Sequence, residues 1–118
     1  MKTILVVDDQ PNVLETLRWL LEAKGYGCVT AENAEAAEGL FREHKPDGVI
    51  VDYGLPGADG IVLARRLKAI NPVPIVLLSG NPDVAPDGSV DVFLPKPQEP
   101  RELLQAIMRM VGPSVPAK

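Results

Sequence analysis

Five short runs rich in β-branched residues recur along this chain, at positions 3–7, 27–31, 48–51, 75–78 and 90–94, with helix-length segments between most of them. The first, third and fourth are apolar almost throughout and lack the alternation of a strand with one wet face. Such strands need cover on both faces, which is the condition of a parallel sheet flanked by helices. The covers are visible too. Val13, Leu14, Leu17, Leu20 and Leu21 repeat at helical spacing, with Pro11 near the start and Gly25 just past the end. Asn33 is placed to cap a helix carrying Ala36, Ala37, Leu40 and Phe41. Ile61, Leu63, Ala64, Leu67 and Ile70 mark a third helix, and Leu103, Leu104, Ile107, Met108 and Val111 a last one, with Pro100 near its start. Strand and helix in alternation imply right-handed crossovers and a doubly wound α/β fold. For five parallel strands the expected order is the flavodoxin-like 2-1-3-4-5.

One crossover breaks the pattern. The segment GNPDVAPDGS, residues 80–89, holds two prolines and two glycines, and these cost about 3 and 1 kcal/mol each inside a helix. The helix between strands 4 and 5 is therefore expected to be shortened to one turn near residues 83–86, or absent. With 118 residues, 46% of them hydrophobic and 24% charged, the chain has the balance of one soluble globular domain. That domain is expected to span 1–111, with 112–118 as a C-terminal tail. No apolar run approaches the length of a membrane span, and residues 1–8 do not read as a signal peptide, so no membrane association and a cytoplasmic location are expected. The single cysteine, Cys28, fits a reducing compartment and reads as a small hydrophobe on a strand. A net charge of −4 with scattered lysines and arginines argues against direct binding of nucleic acid.

The chemistry lies where the apolar runs stop. In open parallel sheets ligands bind beyond the carboxyl ends of the strands, near the point where strand order reverses. Strand 1 ends in Asp8-Asp9, strand 3 in Asp52, strand 4 in Ser79 and strand 5 in Lys96. Singly, each has a plain alternative: an acid pair leading into a helix dipole, a serine in a turn, a solvated lysine. Asp59 is read that way, as a charge at the start of the third helix. Jointly, the five side chains at four strand ends point to one site. Carboxylates about 4 Å apart repel by about 4 kcal/mol at an effective dielectric near 20, so either one stays protonated or a cation sits among them. A hard oxygen-ligated ion such as Mg²⁺ suits the corner, and a phosphoryl group is its natural companion. His44, the lone histidine, is distant from these ends, which disfavours a histidine-ligated metal.

The set Asp8-Asp9, Asp52-Tyr-Gly-Leu-Pro-Gly-Ala-Asp-Gly60, Leu78-Ser79-Gly80 and Lys96-Pro97 resembles the receiver domain of two-component response regulators across essentially the whole chain. The resemblance implies that Asp52 is the phosphoacceptor, taking a phosphoryl group from a phosphohistidine on a sensor histidine kinase or a histidine phosphotransfer protein. It implies Mg²⁺ held by Asp9, Asp52 and the backbone carbonyl of Gly54, with Asp8 acting largely through water. Ser79 would be the switch hydroxyl, and Lys96 would pair with the acceptor and then with the phosphoryl group. Phe93, three residues before Lys96, would be the aromatic that turns inward on activation, a plain core phenylalanine being the alternative. Pro56, Gly57 and Gly60 would make the turn that holds the acceptor.

The segment 80–89 departs from the family, which places a full helix there, so output is expected to run through that loop or the face around the first helix toward a partner that the residues do not identify. Self-phosphorylation and self-dephosphorylation would be the only catalysis. Two other readings remain. A pseudo-receiver would bind partners without phosphorylation, although every acidic and basic position needed is present. A Mg²⁺-dependent aspartyl phosphatase would need Asp-x-Asp after strand 1, and Asp8-Asp9-Gln10 has the wrong spacing.

Overall fold

Each expected strand forms, and each is parallel to its neighbours. The computed structural model of the protein describes residues 1–55, 59–80, 88, 90–95 and 100–113. Its elements are β1 (Thr3–Val7), α1 (Pro11–Ala23), β2 (Gly27–Ala31), α2 (Ala34–His44), β3 (Gly48–Asp52), α3 (Gly60–Ile70), β4 (Ile75–Ser79), β5 (Val92–Pro95) and α4 (Pro100–Val111). The sheet order is β2-β1-β3-β4-β5, as the flavodoxin-like expectation requires. The shortened or absent helix between β4 and β5 falls largely on residues 81–87 and 89, outside the described residues.

The unbroken apolar runs have a simple cause: alternate side chains meet different helices. Leu5, Val7, Val49, Val51, Ile75 and Leu77 pack with Ala37 and Phe41 of α2 and Leu63, Ala64 and Leu67 of α3. Ile4, Val6, Ile50, Val76 and Leu78 pack with Leu14, Leu17 and Leu21 of α1 and Leu103, Leu104 and Ile107 of α4. Every residue of β3 and β4 is buried. Cys28 joins the second cluster from the half-buried strand β2, and burial pushes its thiol up to about 11 against the opposing pull of Arg18. It is a packing residue in its resting, protonated form.

Local signals set the helix ends. Pro11 takes the first position of α1, where its missing N–H costs nothing. At the other end Gly25 adopts a φ of 88°, and the Gly25 and Tyr26 N–H groups donate back to the Glu22 and Leu21 carbonyls at 3.0 Å each. This double closure satisfies carbonyls that the helix leaves open, and the left-handed residue it needs is cheapest as glycine. Asn33 caps α2, its side chain accepting from the Ala36 N–H at 2.8 Å. Asp59 caps α3, accepting from the Ile61 N–H at 2.7 Å, so its role at a helix start is as expected. The far end of α4 is tied down by Lys2, whose ammonium donates to the Val111 carbonyl, and by the buried Tyr26, whose hydroxyl donates to the Gly112 carbonyl at 2.7 Å.

Two aspartates fix the sheet at its amino edge. Asp47, just before β3, donates its N–H to the Thr3 carbonyl at 2.7 Å, and its carboxylate accepts from the Thr3 N–H at 2.8 Å. Asp91, just before β5, does the same with Ile75, at 2.9 Å and 2.8 Å, and its carboxylate also takes the Lys68 ammonium at 2.7 Å. Each aspartate thus extends the parallel ladder one step with its side chain and pins the register there. This corrects the expected start of the last strand. Asp91 belongs to the clamp rather than to the ladder, Val90 lies before it, and β5 begins at Val92 and ends at Pro95. Replacing Asp91 with alanine strands the Ile75 N–H and should lower stability by about 1 kcal/mol, the low end for a lost bond to a partly exposed group. Lys68→Ala should cost less, because that ion pair is open to water. Urea midpoints at unchanged slope will read both effects.

Candidate functional site

Four strands deliver their ends to the opposite edge. β1 leads into Asp8 and Asp9, β3 ends on Asp52, β4 on Ser79 and β5 on Pro95. Since β1 and β4 flank β3, the register sets Asp52 beside Leu78 and Ser79 beside Pro95. The Asp8 N–H donates to the Ala31 carbonyl at 3.1 Å, which ties the acid pair to the end of β2 as well. Among the described residues the buried polar or charged side chains are Asp8, Asp52 and Ser79. All three stand at this edge. An apolar sheet covered on both faces offers buried polar groups no other berth than its ends.

The acids converge as the strand order predicts. One carboxylate oxygen from each of Asp8, Asp9 and Asp52 lies within 4.8 Å of the other two. Asp8 is 2% exposed and Asp52 6%, whereas Asp9 faces solvent. Asp8 Oδ1 accepts from the Gln10 N–H at 2.9 Å, so it closes a tight turn before the helix, and Gln10 caps α1 without a side-chain bond. Asp9 is left pointing at the cluster. Three oxygen donors, two buried and one open to water, with room for solvent on one side, fit a small hard cation better than a soft one.

The remaining expected residues divide in two groups. Gly54 is exposed beside Asp52, its N–H 3.4 Å from Asp52 Oδ1, a long and weak contact. Phe93 is half-buried on β5 and packs against the cluster beneath α2 and α3. Lys96 follows Pro95 directly, but it lies outside the described residues, as do Pro97, Pro56 and Gly57. His44 ends α2, which runs back against the strands, and so stands toward the amino edge. Gly60, expected only to form a turn, donates its N–H to the Tyr53 carbonyl at 3.1 Å.

Two buried carboxylates with oxygens within 4.8 Å of each other repel by about 3.5 kcal/mol or more at an effective dielectric near 20. Asp52→Asn removes one of those charges with almost no change in shape. In the absence of divalent cations the variant should be more stable than the parent by roughly 1 kcal/mol or more. Added Mg²⁺ should raise the parent's urea midpoint and leave that of the variant nearly still.

Comparison with known proteins agrees with this geometry. Residues 4–108 match the family model for the response regulator receiver domain. The phosphate regulon transcriptional regulatory protein PhoB of Pseudomonas aeruginosa is 41% identical over 123 residues, covering 95% of this chain and 54% of the relative. The chain spans about half the length of the curated relatives it matches. Among solved structures, the response regulator protein TrrA of Thermotoga maritima, in complex with Mg²⁺ and beryllium fluoride, is 34% identical with a TM-score of 0.83, covering 93% of this chain and 99% of that one. A response regulator receiver domain protein of Clostridium thermocellum is 28% identical with a TM-score of 0.86, covering 94% of both chains. With the sheet order, the buried acids and the extent of the match in agreement, the chain belongs to the response regulator receiver domains, the phosphoacceptor modules of two-component signalling.

Proposed function

We propose that Asp52 is the phosphoacceptor of this domain and that Mg²⁺ is its cofactor. The observation that carries the reading is the cluster itself: an acid at the end of a fully buried strand, with two more carboxylates within 4.8 Å. Asp9, Asp52 and the Gly54 carbonyl would hold the ion, with Asp8 acting largely through water. When bound, it would neutralise the corner and draw charge from the phosphoryl oxygens.

The chain's own residues then have separate tasks. A carboxylate oxygen of Asp52 attacks phosphorus as the N–P bond of a donor phosphohistidine breaks. The electron pair of that bond stays on the imidazole nitrogen, which leaves as neutral imidazole when its other nitrogen carries a proton. The product is an aspartyl phosphate, and burial of Asp52 by strand packing keeps its carboxylate aimed rather than free to rotate. The Lys96 ammonium would pair with one phosphoryl oxygen and the Ser79 hydroxyl would donate to another. Drawing Ser79 toward Asp52 would open space at the neighbouring strand for Phe93 to turn inward, a shift between two packings of one face.

The donor would be a sensor histidine kinase or a histidine phosphotransfer protein. Self-phosphorylation and self-dephosphorylation would be the only reactions catalysed. The receiver would occupy residues 1–111, a reading supported by α4 ending at Val111, with 112–118 as a C-terminal tail. The net charge of −4 supports a protein rather than a nucleic acid as the direct partner of this domain. A cytoplasmic location suits such partners and the free thiol of Cys28.

Incubation with Mg²⁺ and acetyl phosphate, followed by intact mass, tests the reading. One acid-labile phosphoryl group should appear, Asp52→Asn should abolish it, and Lys96→Ala should slow its appearance by tenfold or more. A chain that stays unmodified would be a binding module only. Steady release of phosphate from added esters would mark a phosphatase.

A further inference from the structure

Helix α3 begins against the peptide that ends β3. A β-carbon at residue 60 would stand 2.7 Å from the Asp52 carbonyl oxygen, 2.8 Å from Tyr53 Cα and 3.1 Å from Leu77 Cδ1. Non-bonded carbon and oxygen approach to about 3.3 Å even when weakly attracted, so something would have to move by about half an ångström. The two nearest atoms are backbone, and that backbone is fixed. Asp52 is in register with Leu78, and the Tyr53 N–H donates to the Leu78 carbonyl at 2.8 Å. Neither can swing aside as the end of a long side chain would. Gly60 differs here from Gly25 and Gly112, which have left-handed backbones with φ of 88° and 87°. Its own conformation is that of a first helical turn, so what residue 60 lacks is space rather than a permitted angle.

We infer that Gly60 is a positioning residue for the acceptor, an inference that rests on Asp52 being the phosphoacceptor. The absent side chain lets the first turn of α3 sit directly on the Asp52-Tyr53 peptide, held there by the Gly60 N–H on the Tyr53 carbonyl and by the Asp59 cap. That seat determines where the Asp52 carboxylate stands relative to Asp8 and Asp9. A displacement of half an ångström in the peptide passes to a carboxylate that must share one small cation with two others. Misplacing reacting groups by about 1 Å costs on the order of 100-fold in rate, and loss of support behind a metal ligand weakens binding by about 10- to 100-fold.

Gly60→Ala is therefore expected to weaken Mg²⁺ binding by about tenfold and to slow labelling by acetyl phosphate by tenfold or more. Gly39→Ala makes the same chemical change on α2, where the new carbon meets nothing within 4 Å, and should alter neither. In metal-free protein the amide resonances of Asp52 and Tyr53 should move in Gly60→Ala and stay in place in Gly39→Ala. A Gly60→Ala protein that is less stable in urea, yet binds Mg²⁺ and takes up phosphoryl groups as the parent does, would reduce Gly60 to a structural residue and overturn the inference. Should that variant not fold, the parent decides. Its Gly60 amide should shift as Mg²⁺ is added, and a Gly60 signal as still as that of Gly39, while the Asp9 signal moves, overturns the proposal equally. A parent that takes up neither Mg²⁺ nor a phosphoryl group removes the acceptor reading itself and this inference with it, a result distinct from the other two.

Discussion

Negative charge held close together at the end of an apolar sheet is the constraint on which this structure turns. Asp8 and Asp52 are almost wholly buried, and Asp9 completes a triangle whose oxygens lie within 4.8 Å of one another. A chain selected for stability alone would not keep that arrangement, since a buried like-charged pair opposes folding. The core supplies what offsets it. Two apolar layers, one under α2 and α3 and one under α1 and α4, hold β1, β3 and β4 rigidly enough that the acids cannot drift apart into solvent. The repulsion is then available to bind a cation, and the affinity of the corner and the cost of forming it are two sides of one energy.

The same residue type does opposite work at the two edges of the sheet. At the amino edge, Asp47 and Asp91 each face a single backbone N–H and exchange a pair of hydrogen bonds with the first residue of the next strand. Their charge is satisfied locally, and they set register. At the carboxyl edge, the acids face one another. The difference arises from strand direction in a parallel sheet, which gathers all carboxyl ends on one side. Register errors at the amino edge would be transmitted along β3 and β5 to the site, because a slip of one residue moves every side chain to the other face. The clamps and the chemistry are therefore linked through the strands between them.

Much of this was legible in the sequence because it depends on pattern and on chain ends. Two-sided apolar runs gave the parallel sheet, Asn33 and Pro11 gave helix starts, and the positions of Asp8, Asp9, Asp52 and Ser79 at strand ends gave the corner. What was not legible depends on contacts between segments distant in sequence. Asp91 falls inside the strand expected over 90–94, and only its pairing with Ile75 shows that the ladder starts after it. Gly60 looked like one more turn glycine, since nothing in its neighbours reveals that the Asp52 carbonyl would lie 2.7 Å from its β-carbon. That Asp8 also closes the turn into α1, by accepting from the Gln10 N–H, is likewise a contact the sequence does not display.

On the proposed reading, the response to a phosphoryl group on Asp52 follows from which of its neighbours can move. Asp52 itself is not: β3 is buried throughout, paired on both sides, and abutted by the first turn of α3. β1 is equally enclosed, between β2 and β3. On the other side β4 is as buried and as doubly paired as β3, and the edge of the sheet is β5. Ser79 is the last residue of β4, and Phe93 sits half-buried on β5, which among the described strands has β4 as its one neighbour. Added charge at Asp52 can draw a terminal hydroxyl without disturbing a core strand, and an aromatic on an edge strand can repack at the cost of a rotamer. Strain introduced at Asp52 is thus expected to leave through the end of β4 and the edge strand β5, because the packing that fixes Asp52 leaves those parts the least expensive to rearrange.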